Sequence, residues 1–482
     1  MAKLKNIIKQ LSEKDYEAIY QSLVESSAEK SAYLLKAMRE KSYSDTKIME
    51  ELDVNTNAYY TLRSRLNQKI EEYLLQQMES PRTELLKKVA NIAEVIFTKK
   101  KAIAITTLKK LEKELIDYDL SNELNIIYKA LKKLHINSEE YFQYSQLYNK
   151  NVAYMLAIDK AEDLLAEYFK KFASFSLTGD ETEKLGLIYL SNEMDNICNL
   201  YKSHRLKVYQ SCLDIYHRLF VENTENMNDK KAPIEDILDE VETTFENYHL
   251  DSIYHHLTLV FEFLRLEYYN FYKVYRKAEK HFEQVNSAIS HLLSFYGTFT
   301  FPSQFLKTKL ERHLRLNCEN ELYNENESLF ANFECDKQDT PSFVNYYTYR
   351  ALSCYYVGKY EEAAKWINVL LNEASLKNYS YALLEIKCLL ALQYCCMKDM
   401  ELFGQLVNSI QRQIRILSKD SCEDIVMFIK MLKTSINENK RDKPIKLRFL
   451  MDKFKSLPTT RQFSPIRLVR FDETFIARVN QS

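Results

Sequence analysis

The stretch YYVGKYEEAAKWINVLL, Tyr355 to Leu371, decides how this chain folds. Tyr356, Tyr360, Ala363, Ile367 and Leu370 recur at the three-and-four spacing of an apolar helix face, and Gly358-Lys359 marks a turn inside the run. FYKVYRKAEKHFEQV repeats the register 85 positions earlier, with Tyr275, Ala278, Phe282 and Val285 matching Tyr360, Ala363, Ile367 and Leu370. MKDMELFGQLVNSI repeats it 40 positions later through Met400, Phe403, Val407 and Ile410. Arg205, Val208, Cys212 and Ile215 form a fainter copy. Spacings near 40 and 85 correspond to one and two helical hairpins.

Composition fits this reading. Five glycines and 7 prolines in 482 residues leave few positions that turn with positive φ or stop a helix sharply, while tyrosine supplies 35 residues. The chain is therefore expected to be all-α, with short polar turns. Hydrophobic residues make up 46% and charged residues 28%, enough to bury a substantial core. The net charge of -1 gives no global attraction to nucleic acid or anionic membrane. The N-terminal MAKLKNIIKQLSEKD lacks a signal-type apolar run, no stretch reaches about 18 uninterrupted apolar residues, and nine cysteines lack paired spacing apart from Cys395-Cys396. The cytoplasm is the expected compartment.

Helical faces recur at 85–97, 102–116, 124–134, 141–172, 183–201, 206–220, 234–248, 253–272, 278–296, 343–357, 361–374, 379–397, 400–417 and 423–436. Val221–Pro233, Gly297–Pro302 and Cys335–Pro341 look looser. Tyr346 to Ala374 resembles a tetratricopeptide repeat through Ala351, Tyr356, Gly358, Tyr360 and Ala363. That resemblance implies an α-solenoid of stacked hairpins whose concave face binds a protein or peptide. Asn345, Tyr346, Tyr349, Arg350 and Asn378 are the expected groove residues, because they interrupt the apolar face of the first helix of a hairpin. Most tyrosines and phenylalanines are expected between helices, a minority in the groove.

Residues 1–80 read as a small helical head, 81–440 as the array, and 441–482 as a basic helix and tail. Ser12 caps a helix through Leu23, and Glu29 to Lys41 form a second. In SDTKIMEELDVNTNAYYTLRSRL, Ser44 is an N-cap candidate, and Ile48 and Leu52 share a face. Asp53-Val54-Asn55 makes a turn, and the next helix carries Tyr59, Leu62, Leu66, Ile70 and Leu74. Residues 44–66 resemble the helix-turn-helix of sigma-like and response-regulator domains. The resemblance implies that Asn55, Asn57, Tyr60, Thr61, Arg63 and Ser64 face the DNA major groove. Asp53 stands where that family usually has glycine, and Lys41–Leu75 holds 5 basic and 6 acidic residues. The alternative is a helical cap that only packs. From Lys440 to Ser482 there are 11 Lys/Arg against 4 Asp/Glu and three of the prolines, read as a last helix at Lys446–Lys455 and an extended, solvated tail.

Catalytic signals are absent from the motifs. Arg276-x4-His281 matches a spacing seen in helical ribonucleases, but lies within a repeat-like helix and reads as packing. Glu246-x-x-His249 lacks the second pair a carboxylate-bridged metal site needs, and His255-His256 diverge by about 100° on a helix. Five isolated glycines form no phosphate loop, and no Ser or Cys has a nucleophile's setting. No catalytic residue, metal or cofactor is expected. The leading expectation is a non-catalytic protein- or peptide-binding scaffold. The alternatives are a transcription regulator whose head contacts DNA and whose solenoid senses a partner, and a helical RNA-cleaving enzyme using Arg276 and His281.

Overall fold

The computed structural model describes residues 4, 7–8, 11, 13–26, 28–40, 45–77, 81–222, 232–248, 254–295, 299–331, 333–417, 422–437, 443–458 and 462–480. Among these residues the protein is all-helical, without strands. Ser12, Ser44, His249 and most of 221–233 lie outside them. Two compact units divide the chain, Met1–Val152 and Ala153–Ser482.

The first unit holds two separate cores. One is built by α1 (Glu13–Glu25), α2 (Glu29–Glu40), α3 (Asp45–Leu52) and α4 (Thr56–Gln77) around Ile19, Leu34, Leu35, Ile48, Tyr59 and Ile70. The other joins α5 (Pro81–Ala90), α6 (Ile92–Thr98), α7 (Lys101–Asp117) and α8 (Ser121–Leu134), with Tyr144 from the start of α9 (Glu140–Thr178). It is centred on Leu108, Leu115, Ile127 and Leu131.

One continuous core runs through the second unit. It begins with the later part of α9, α10 (Glu181–Leu200), α11 (His204–Phe220), α12 (Ile234–Asn247), α13 (Tyr254–Phe271) and α14 (Tyr275–Phe295). It continues through α15 (Phe301–Leu316), α16 (Glu319–Leu329), α17 (Thr340–Tyr356), α18 (Tyr360–Glu373), α19 (Ser380–Met397) and α20 (Met400–Leu417). It closes with α21 (Glu423–Asn437), α22 (Lys443–Ser456) and α23 (Glu473–Asn480). Consecutive helices pack as pairs, notably α13 on α14, α17 on α18, α18 on α19 and α19 on α20. Helix α19 is long and apolar enough by composition to cross a membrane, yet Ala382, Leu384, Ile386, Leu389, Leu392 and Cys395 are buried within this core.

The turns explain how a chain short of glycine ends so many helices. Lys273, Gly358 and Lys398 stand two residues before Tyr275, Tyr360 and Met400, and all three have left-handed backbone, φ 58°, 79° and 61°. Each closes its helix with the same pair of bonds. Lys398 N donates to Cys395 O at 3.2 Å and Asp399 N to Tyr394 O at 3.1 Å. Gly358 N donates to Tyr355 O at 3.1 Å and Lys359 N to Cys354 O at 3.0 Å, and Lys273 and Val274 do likewise on Asn270 and Tyr269. Asp53, Asp119 and Asn317 stop their helices the same way, at φ 49°, 51° and 56°. Acidic, amide and lysine side chains thus take the stop position that glycine usually fills.

Two sequence expectations need correction. Helices α15 and α16 occupy a region where the apolar period predicts none, and Pro302 sits in the first turn of α15 rather than in a break. The C-terminal segment is packed instead of extended. After α22, residues 462–480 form a short 3-10 turn at Pro465–Leu468 and then α23, burying Ile466, Val469, Phe471, Phe475 and Ile476. Its arginines bond to protein groups. Arg470 donates to Asn317 Oδ1 at 2.9 Å and Leu314 O at 2.6 Å and pairs with Glu319. Arg478 donates to Tyr356 O at 2.9 Å.

Candidate functional site

In the head, the three-residue turn Asp53-Val54-Asn55 joins an eight-residue helix to a 22-residue one. The left-handed Asp53 reverses the chain, a conformation Asp tolerates better than most side chains. Asn55 Oδ1 then accepts from Ala58 N at 2.9 Å and caps α4. Asp45, in the first turn of α3, fixes the second helix against the first. It accepts from Tyr59 Oη at 2.9 Å and from Arg63 Nη1 at 3.0 Å. Burial, then the Asp45 hydrogen bond, pushes the Tyr59 hydroxyl up to about 12.

At about 100° per residue, buried Tyr59, Leu66 and Ile70 share one side of α4. Asn57, Tyr60, Thr61, Ser64 and Gln68 fall within a stripe about 100° wide on the opposite side, and all five are exposed. Exposed Arg65 borders the stripe. Five of the six residues expected at DNA, Asn55, Asn57, Tyr60, Thr61 and Ser64, are therefore exposed at the start of this helix. Arg63 is not among them, because its guanidinium turns towards Asp45 and lies 5.8 Å from the centroid of Tyr59. Arg65 and Gln68 are legible from the same periodicity, but the motif resemblance stops short of them.

The expected groove residues are not assembled into a surface. Tyr346 is buried between Phe330 and Phe333, with ring centroids at 5.3 and 4.9 Å. Tyr349 is buried and donates to Asn326 Oδ1 at 2.6 Å. Arg350 donates to Tyr346 Oη and Glu327 at 3.1 Å each and lies 4.5 Å over Trp366. Asn345 is half-buried and donates to Ser303 Oγ at 3.4 Å. Only Asn378, in the turn before α19, is exposed. These polar groups interrupt an apolar face because α15, α16 and α18 supply their partners, so the interruption marks an internal network.

Arg276 and His281, the pair that the RNA-cleaving alternative would use, are not brought together. Half-buried His281 lies against Glu262 Oε2 at 2.6 Å and stacks on Tyr269, whereas exposed Arg276 points about 140° away around α14. Among the described residues no three His, Cys, Asp or Glu side chains group as metal ligands. A cavity of about 380 Å³ between α10 and α11 includes Cys198, but burial pushes its thiol up to about 11, away from the thiolate. A second cavity, of about 460 Å³, is lined by the polar stripe Gln405, Asn408, Ser409, Arg412 and Gln413 of α20.

No protein-family model, curated protein or solved structure matches this chain.

Proposed function

We propose that this chain is a non-catalytic, nucleic-acid-linked adaptor in which a helix-turn-helix head contacts duplex DNA and the helical array binds a protein partner. The observation carrying the DNA reading is the exposed stripe Asn57, Tyr60, Thr61, Ser64 and Gln68 immediately after the turn at Asp53. A helix used in the major groove needs polar side chains on its free side and a second helix bracing its other side. Asp45 supplies that brace through Tyr59 and Arg63. On this reading the protein works in the cytoplasm and uses no cofactor.

The tetratricopeptide-like reading of the array is supported by the matching left-handed stops at Lys273, Gly358 and Lys398. Leu185, Ile188 and Tyr189 favour a scaffold role for it. They lie at i, i+3 and i+4 on α10, and Leu185 and Tyr189 are each 66% exposed. A protein partner fits this outer stripe better than residues 345–350.

The test is selection of the full-length chain against random DNA duplexes, followed by anisotropy titration of recovered sequences. Enrichment of a sequence, with salt-sensitive binding, is the expected result. No binding to any duplex at low ionic strength removes the DNA reading and leaves the scaffold role, which affinity capture of a partner sensitive to Tyr189→Asp would support.

A further inference from the structure

The chain has a net charge of -1, yet Arg82 to Asp117 holds nine Lys/Arg against five Asp/Glu. These residues lie on α5, α6 and α7, which pack together around Leu85, Val89, Ile92, Leu108 and Leu111. On α7, Lys109, Lys110 and Lys113 are exposed within about 100° of one another, opposite buried Ala104, Leu108, Leu111 and Leu115. Lys99, Lys100 and Lys101 are exposed at the corner between α6 and α7. Phe97, 95% exposed, stands beside them.

Acidic side chains dilute this surface only partly. Glu84, Glu94 and Asp117 are exposed, Asp117 on the lysine-bearing side of α7, while Glu112 and Glu114 are half-buried, with Glu114 facing Lys88 at 3.5 Å. Local positive charge on a nearly neutral chain selects a polyanion. Two kinds are chemically open, a nucleic-acid backbone and an anionic membrane. A helix lying in a membrane interface needs an apolar face to bury. The apolar face of α7 is already committed to its core, and its outward side carries Thr106, Lys109, Lys110, Lys113 and Asp117, bordered by Ile103 and Ile116, which are half exposed but 13 residues apart and form no continuous apolar face.

We infer that α5 to α7 form a second nucleic-acid surface, in which Lys99–Lys101 and Lys109, Lys110 and Lys113 contact backbone phosphates without reading sequence. This rests on the DNA reading of the head and adds the phosphate attraction that the head, with its nearly balanced charge, lacks. Phe97 is placed to stack on an unpaired base or to contact sugar beside those phosphates.

The experiment titrates the full-length protein and two triple variants, K99Q/K100Q/K101Q and K109Q/K110Q/K113Q, against a labelled mixed-sequence duplex over a salt series. All six lysines are exposed, and unchanged thermal unfolding confirms that the variants fold. Each triple variant is expected to flatten the slope of log K against log salt by about 2.7, which is about 0.9 for each phosphate no longer neutralised. Sequence preference should stay unchanged. Slopes equal to that of the unmodified protein overturn the proposal, and retained dependence of binding on Tyr60 would then leave the head reading standing. Slopes that flatten while Tyr60→Ala changes nothing support this surface and remove the head. No duplex binding by the unmodified protein overturns both. Binding that depends on these lysines only with phosphatidylserine vesicles assigns the surface to a membrane and overturns it.

Discussion

Ser464 donates its hydroxyl to Glu385 Oε1 at 2.9 Å, tying the C-terminal segment to a fully buried carboxylate 79 residues away. Ile466 N donates to the other oxygen at 3.3 Å, so one side chain anchors the 3-10 turn to α19. Around this anchor, Tyr356 Oη donates to Leu468 O at 2.5 Å and accepts from Arg470 N at 2.8 Å. Phe471 packs on Phe428 and Phe454, with centroids at 6.2 and 4.9 Å. The segment is therefore part of the core of the second unit.

Removing it should unfold that unit. Burial of Ile466, Val469, Phe471 and Phe475 contributes about 1.5–3 kcal/mol each, against a typical domain stability of about 5–15 kcal/mol. A chain ending at Pro458 is expected to be aggregated or rapidly cleaved by limited proteolysis. Ser464→Ala should be milder, costing about 1–3 kcal/mol because Glu385 loses a buried donor. Wild-type protease resistance in the truncated chain would show that the segment is dispensable.

The helix stops give a prediction with opposite signs. Lys273 and Lys398 hold positive φ, which costs an L side chain about 1 kcal/mol, so Lys273→Gly and Lys398→Gly should each raise stability by up to about that amount. Gly358 has φ 79° and open space where a Cβ would stand. Gly358→Ala should therefore lower stability by about 1 kcal/mol through backbone conformation alone. Denaturant midpoints at constant slope measure all three.

Glu267 makes the stability of the second unit depend on pH between about 4.5 and 7. Burial raises its carboxyl from 4.5 to about 7, while Thr308 Oγ1, donating at 2.6 Å, opposes the shift. Between these values the folded state keeps a proton that the unfolded state has released. Stability should fall as pH rises from about 4.5 to about 7 and then level off. Glu267→Gln should remove this component and gain stability above pH 7, on the order of 1–3 kcal/mol. Urea unfolding of both proteins at several pH values measures it, and parallel pH profiles would place the ionisation elsewhere.

What the sequence makes legible follows from what repeats. Tyr275, Tyr360 and Met400 mark a true register, because each follows a left-handed stop by two residues. Helix α16 is hard to read because it buries only Leu322 and Asn326 and so has almost no apolar period. Charge alone misreads the tail, since it does not say where the arginines of RLVRFDETFIAR find acceptors. Carbonyls of Leu314 and Tyr356, distant in sequence, supply them. Tyr349 and Arg350 mislead for the same reason, since their partners Asn326 and Glu327 belong to the nearly periodless α16. In the head the turn is readable locally, whereas the withdrawal of Arg63 depends on Asp45, 18 residues away.

That withdrawal separates two kinds of head variant. Tyr60 is 48% exposed, so Tyr60→Ala should leave folding nearly unchanged and weaken duplex binding by about 1–3 kcal/mol at selected sequences. Arg63→Ala removes a donor from Asp45, whose side chain is 41% exposed, so its stability cost should stay near or below about 1 kcal/mol. Its effect on DNA should be indirect, through a looser joint between α3 and α4. Asp45→Ala removes the partner of both Tyr59 and Arg63 and should cost more than Arg63→Ala. Thermal unfolding and anisotropy on the same three variants distinguish the roles. If Arg63→Ala abolishes binding at full stability while Tyr60→Ala does nothing, Arg63 must leave Asp45 to reach DNA, and the exposed stripe is not the contacting face.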